Sequence, residues 1–127
     1  MKITVITVCY NSAETIEDTI RSVLSQDHPD LEYIVIDGAS TDDTLKILSK
    51  YRDRISQLVS ERDNGLYDAI NKGLALAKGD VIAILHADDI YTDKSVLSAV
   101  AAVFNERQTD TVYGDLQYVD RKDVSLI

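Results

Sequence analysis

Ile3 to Val8 is an almost unbroken run of apolar and β-branched residues, the pattern of a central strand. Asn11 stands three residues before Glu14, the spacing of a capping box. Ile16, Ile20, Val23 and Leu24 follow at helical intervals, and Pro29 marks the loop after that helix. Leu31 to Ile36 (LEYIVI) predicts a second strand. Ser40, Thr41, Asp42 and Asp43 offer cap chemistry for a second helix with Leu45, Leu48 and Tyr51 on one face. Ile55 to Val59 reads as a short third strand. Gly65 opens a third helix whose predicted apolar face is Tyr67, Ile70, Leu74 and Ala77, and Gly79 stands where a C-cap glycine belongs. Val81 to Leu85 (VIAIL) predicts a strand buried on both faces. A fourth helix from about Asp93 turns Val96, Leu97, Val100, Val103 and Phe104 inward. Thr111 to Tyr118 alternates, with Val112, Gly114, Leu116 and Tyr118 on one side, as a strand with one wet face does.

This alternation of strands and helices predicts an α/β fold: a three-layer αβα arrangement around a mainly parallel sheet with right-handed crossovers. Ligands of such sheets sit at the carboxyl ends of the strands. Three segments fall there: Cys9-Tyr10-Asn11, Asp37-Gly38-Ala39-Ser40 and His86-Ala87-Asp88-Asp89. Far apart in sequence, they are expected to meet along one rim.

Composition narrows the function classes. The 127 residues make one domain, with 45% apolar and 28% charged residues, ordinary values for a globular fold. Thirteen basic residues against 22 acidic ones leave a net charge of −9, which argues against binding nucleic acid through bulk charge. A metal held by carboxylates can still attract phosphate locally. The single cysteine, Cys9, excludes an intramolecular disulfide, and two histidines, His28 and His86, leave little for a histidine-based cluster. No run approaches the ~18 apolar residues of a membrane span. The first eleven residues read as a strand rather than a signal peptide, so a cytoplasmic, reducing setting is the expectation.

Adjacent carboxylates repel unless something positive lies near, and Asp88-Asp89 directly follows a buried strand. A hard cation with bound phosphates meets that need; a helix-start loop is the plainer alternative. Asp37 can accept hydrogen bonds from a sugar or base, or can close an Asx turn before Gly38. Tyr10 can stack a flat ring or pack, and Cys9 reads as a small buried hydrophobe. His86 is a ligand or a structural histidine, and Asp68 an acid complementing its helix dipole. No G-x-G-x-x-G follows the first strand and no G-x-x-x-x-G-K-[ST] occurs, so Rossmann dinucleotide and P-loop sites are unsupported. A receiver-type domain needs an acidic pair where Cys9 and Tyr10 stand. No Ser–His–Asp arrangement has supporting context.

The run TVITVCYNSAETIEDTIRSVLSQDHPDLEYIVIDGASTDDTLKIL, continued by ERDNGLYDAINKGLALAKGDVIAILHADDIY, resembles the N-terminal half of family 2 glycosyltransferases of the GT-A fold. The likeness covers roughly residues 3 to 95 in the family's order and spacing. It implies transfer of a sugar from a nucleotide diphosphate donor, a UDP-sugar first, to the hydroxyl of a glycan or lipid-linked acceptor. Inversion at the anomeric carbon, with Mg or Mn as cofactor, is part of that implication, as is a role in cell-envelope polysaccharide synthesis.

Carried over by position, Val8 and Tyr10 fall in the loop around the donor's base. Asp37 is the first of an acidic pair that helps read the base, and Gly38 replaces the second. Asn64, Gly65, Ala69, Asn71 and Gly73 fall in the family's N-x-G-x-x-x-A-x-N-x-G helix, with Asn71 among the substrate-binding residues. Asp88 and Asp89 match the Asp-x-Asp-type motif, Asp88 near ribose and diphosphate and Asp89 toward the metal, while His86 stands where some members have an acid. The resemblance makes residues 1–127 a donor domain without its acceptor half, and no residue is assigned as general base; Asp115 and Asp120 match an earlier segment of the family. It also suggests placement at the inner membrane face, and an exposed final strand suggests self-association. The alternative is a nucleotide-sugar-binding or regulatory module without turnover; an acidic interaction domain would bind no nucleotide at all.

Overall fold

All seven side chains of β1 (Ile3–Cys9) are buried, which places this strand at the centre of the sheet. The computed structural model describes residues 1–107, with side chains to residue 104. The elements after β1 are α1 (Ile16–Leu24), β2 (Leu31–Asp37), α2 (Thr44–Lys50), β3 (Gln57–Ser60), α3 (Leu66–Leu76), β4 (Val81–Ile84) and α4 (Val96–Arg107). The strand expected over Thr111 to Tyr118, with Asp115 and Asp120, lies outside the described residues.

The four strands run in the order β3-β2-β1-β4, and every neighbouring pair is parallel. Register aligns Ile3 with Leu31 and Val81, and Cys9 with Asp37. The chain thus steps outward from β1 to β3 and then returns to the far side of β1. Strand alternation divides the core. Ile3, Val5, Cys9, Tyr33 and Val35 pack with Ile16, Ile20 and Val23 of α1, Leu48 of α2, and Leu97, Val100 and Ala101 of α4. Ile6, Val8, Ile34 and Ile36 face Ala69 of α3 on the opposite side.

Four local expectations are corrected. Asn11 forms no capping box: α1 begins five residues later, and Asn11 instead takes a left-handed conformation (φ 47°). Its side-chain oxygen accepts the backbone N–H groups of Thr41 and Asp42 at 2.8 and 3.3 Å, tying the β1–α1 loop to the β2–α2 loop. The buried stripe of α3 is Ala69 and Gly73; of the expected face Ile70 and Ala77 pack beside it, while Tyr67 and Leu74 are 81% and 40% exposed. Small residues win there because the helix lies close on β1: a Cβ at position 73 would sit 2.6 Å from the Ile6 Cγ2. Gly79 is no helix cap; a side chain there would meet the Thr4 Oγ1 at 2.5 Å and the Thr4 backbone nitrogen at 2.7 Å. Finally, β4 is buried on one face only among the described residues, because α3 packs over β1 and β2 and leaves Ile82 38% exposed.

Candidate functional site

A doubly wound sheet opens a crevice where successive connections leave in opposite directions. Here that point lies between β1 and β4. A cavity of about 460 Å³ occupies it, lined by Val8, Cys9 and Tyr10 at the end of β1, His86 and Asp88 after β4, and Asp63 with Gly65, Leu66 and Ala69 at the start of α3. A second cavity, of about 370 Å³, adjoins it between Tyr10, Gly38, Ala39, Arg62 and Asp63. The expected convergence of the three strand ends on one rim is therefore present. Tyr10, 60% exposed, stands between the two cavities and lines both.

The loop after β4 is held from below by α1. The Thr19 hydroxyl lies 2.8 and 2.7 Å from the carbonyl oxygens of Ala87 and Asp89. The Ser22 hydroxyl accepts the Tyr91 N–H, and the Gln26 amide donates to the Asp93 carbonyl while its oxygen accepts the Leu97 N–H. Thr19 and Ser22 share one face of α1 by spacing, and Gln26 continues the row just beyond its C-terminal end. Asp88 is thereby left exposed on the cavity wall, and Asp89 is drawn in to 9% exposure. The turn into α4 belongs to Asp93, whose carboxylate accepts the Ser95 N–H and hydroxyl at 2.8 Å and is held below its ordinary pKa by those bonds. The helix-start role open to Asp89 is taken by Asp93.

Asp37 lies fully buried at the end of β2. One oxygen accepts the Ser40 hydroxyl at 2.5 Å and faces the Cys9 thiol at 3.5 Å; the other accepts the Ser40 N–H at 2.9 Å and the Ser60 hydroxyl at 2.8 Å. Burial, and then the Asp37 charge, push the Cys9 thiol far above its usual pKa, so it stays protonated and is no nucleophile. Asn71 is exposed on α3 and does not line either cavity.

Asp63 and Arg62 went unremarked in the sequence. Asp63 is the carboxylate common to both cavities, its Oδ1 accepting the Gly65 N–H at 3.3 Å. The signal was available: an N-x-G spacing read back from Gly65 reaches Asp63, not Asn64. Asp68 reaches back to accept the Asn64 N–H at 2.9 Å, fixing the start of α3.

No three His, Cys, Asp or Glu side chains form a metal cage among the described residues. A magnesium-type site needs less, since one or two carboxylates suffice when phosphates complete the shell. The adjacent Asp88 and Asp89, one of them open to the cavity, match that donor chemistry.

The profile of glycosyl transferase family 2 matches residues 4–126. The chain belongs to this family. Among curated relatives, TuaG of Bacillus subtilis (strain 168), a glycosyltransferase provisionally named for teichuronic acid biosynthesis, is 43% identical over 68% of this chain and 36% of its own length. Among solved structures, S. aureus TarS 1-349 in complex with UDP-GlcNAc superposes with a TM-score of 0.78 at 32% identity, covering 85% of this chain and 32% of that one. The mannosyltransferase PcManGT from Pyrobaculum calidifontis, in complex with GDP-Man and Mn2+, gives 0.75 at 30% identity, covering 81% and 32%. The fold of this family 2 chain is that of the GT-A glycosyltransferases, and it spans about a third of the length of TuaG, TarS 1-349 and PcManGT, and 20% of the longer TarS chain. No helix among its described residues is long and apolar enough to cross a membrane.

Proposed function

We propose that residues 1–127 act as the donor domain of an inverting, divalent-metal-dependent glycosyltransferase of cell-envelope polysaccharide synthesis. The donor is a nucleotide diphosphate sugar, a UDP-sugar first, and the acceptor a glycan or lipid-linked hydroxyl. The observation that carries this reading is the cavity at the β1–β4 switch, where Val8, Tyr10 and Asp88 converge on one wall system. In this reading Tyr10 supplies a flat face for the base and Val8 closes the floor beneath it. Asp88 meets the ribose and diphosphate, and Asp89 with the diphosphate would hold Mg or Mn. When bound, the cation neutralises charge that grows on the departing diphosphate.

The group transfer breaks the bond from the anomeric carbon to the diphosphate oxygen and forms one to the acceptor oxygen on the opposite face. The acceptor's proton passes to a general base, for which no described residue is put forward. Thr19 keeps the Asp88–Asp89 loop in place while this happens. Asn71, which lines neither cavity, enters only as part of the family's helix.

Thermal unfolding with and without UDP tests the reading. At ~100 times its dissociation constant a ligand stabilises the folded chain by roughly 2.7 kcal/mol. The midpoint should then rise by roughly 10 °C or more for a domain of this size with Mn present, and by less with chelator. An unchanged curve at saturating UDP and Mn would overturn it.

A further inference from the structure

Asp37 has no exposed surface, and both its oxygens are engaged by Ser40, Ser60 and Cys9. A ligand in the second cavity meets a different carboxylate. A Cβ built on Gly38 would lie 3.0 Å from the Asp63 Oδ2 and 3.5 Å from the Tyr10 ring. The space that a second acid at position 38 would enter is already filled from the other side by Asp63. Its Oδ1 accepts the Gly65 N–H at 3.3 Å, which leaves Oδ2 as the oxygen beside Gly38. Arg62 lines the same cavity and brings planar donors to it.

We infer that Asp63 is the base-reading carboxylate of this chain, taking the place vacated at Gly38, while the buried Asp37 is a positioning residue for the loop beneath it. This rests on the nucleotide-donor reading above. A carboxylate only accepts hydrogen bonds. It therefore selects bases that present an N–H at the middle of the pairing edge: N3–H of uracil, flanked by carbonyl oxygens that suit Arg62, or N1–H of guanine. Cytosine and adenine present a bare ring nitrogen there, and two lone pairs then face each other with nothing between them. Gly38 is part of the device, since a Cβ there would crowd the Asp63 carboxylate at 3.0 Å and shift it from its position.

The test is calorimetric titration of the chain with UDP, GDP, CDP and ADP in Mn, on the wild type, Asp63→Asn and Asp63→Ala. Asparagine keeps the shape but can donate as well as accept, and alanine removes the group. The wild type should bind UDP or GDP at least about tenfold more tightly than CDP and ADP, as one well-placed edge contact allows. Both variants should bring those affinities to within about threefold of one another, with affinity still rising on addition of Mn. A variant that keeps the wild-type ratio, or a wild type without preference among the four, overturns the assignment of Asp63 and leaves nucleotide binding standing. A wild type that binds none of the four overturns the donor reading itself, and this inference with it.

Discussion

A carboxylate whose oxygens are all satisfied inside the protein organises a loop; one with an oxygen left toward a cavity can meet a ligand. Asp37 is of the first kind, and Asp88 stands on the cavity wall as one of the second. Asp89 is intermediate, nearly buried yet adjacent to Asp88, with its backbone fixed by Thr19 and His86. If Asp89 holds the cation, Asp89→Asn should abolish the gain in UDP affinity that Mn brings. A residue that only capped a helix would instead cost about 1 kcal/mol of stability and leave the metal response unchanged. Titration with and without Mn separates the two, and metal-enhanced affinity in the variant would sink the assignment. At this scale the sequence revealed which residues stand at strand ends, because chain position decides that. It did not reveal which of them face inward. Ser40 takes Asp37 locally, but that Ser60 takes it too depends on the β2–β3 pairing, which brings Asp37 beside Ser60 across 23 residues.

Elements were legible where periodicity was strong and a single environment applied. β1 and β2 match their expected spans closely and α1 carries its expected apolar stripe from Ile16 to Leu24, since continuous β-branched runs and an amphipathic pattern admit few other readings. On α3 the expected Ile70 and Ala77 pack on the core, but Tyr67 and Leu74 do not, because the close approach of α3 to β1 selects small residues at the contact. Gly73 is the sharpest instance, facing the fully buried Ile6. Gly73→Ala should destabilise the chain by about 1–3 kcal/mol through overpacking. Denaturant unfolding should show the shift in midpoint with little change in slope. Ile6→Ala removes the clashing methyl, so the double variant should cost clearly less than the two single losses together, a coupling expected of touching residues. Strict additivity would show that α3 moves away from β1 without cost. The burial expected for both faces of β4 failed for a related reason: an apolar run does not report how far a covering helix extends.

The molecule as a whole separates its chemistry from its anchorage along the sheet axis. The two cavities that share Tyr10 and the Asp88–Asp89 loop lie at the carboxyl ends of the strands; at the opposite end, on the wall of a further cavity of about 530 Å³, Glu32 joins three segments. One of its oxygens accepts the Thr4 hydroxyl at 2.7 Å and the Lys78 N–H at 2.8 Å, and the same hydroxyl oxygen accepts the Gly79 N–H at 2.9 Å. β1, β2 and the α3–β4 connection are thus clasped around one buried carboxylate. Burial pushes the Glu32 pKa up, but the bonds from Lys78 and Thr4, with the Lys2 and Lys78 charges, outweigh it and hold the group below its ordinary 4.5. A carboxyl with a lowered folded pKa gives stability that is whole above the unfolded value and fades as pH falls through the folded one. The unfolded chain takes up that proton first, so acid favours unfolding. Glu32→Gln keeps an acceptor for both donors but cannot titrate. The variant should lose stability less steeply than wild type as pH drops below about 4.5. At pH 7, Mn-dependent affinity for UDP should equal that of the wild type, because the substitution lies at the far end of the sheet. Melting midpoints between pH 3 and 7, paired with one UDP titration at pH 7, check both statements. An unchanged acid slope would remove Glu32 from the acid response. A loss of affinity at pH 7 would show that the two ends of the sheet are coupled.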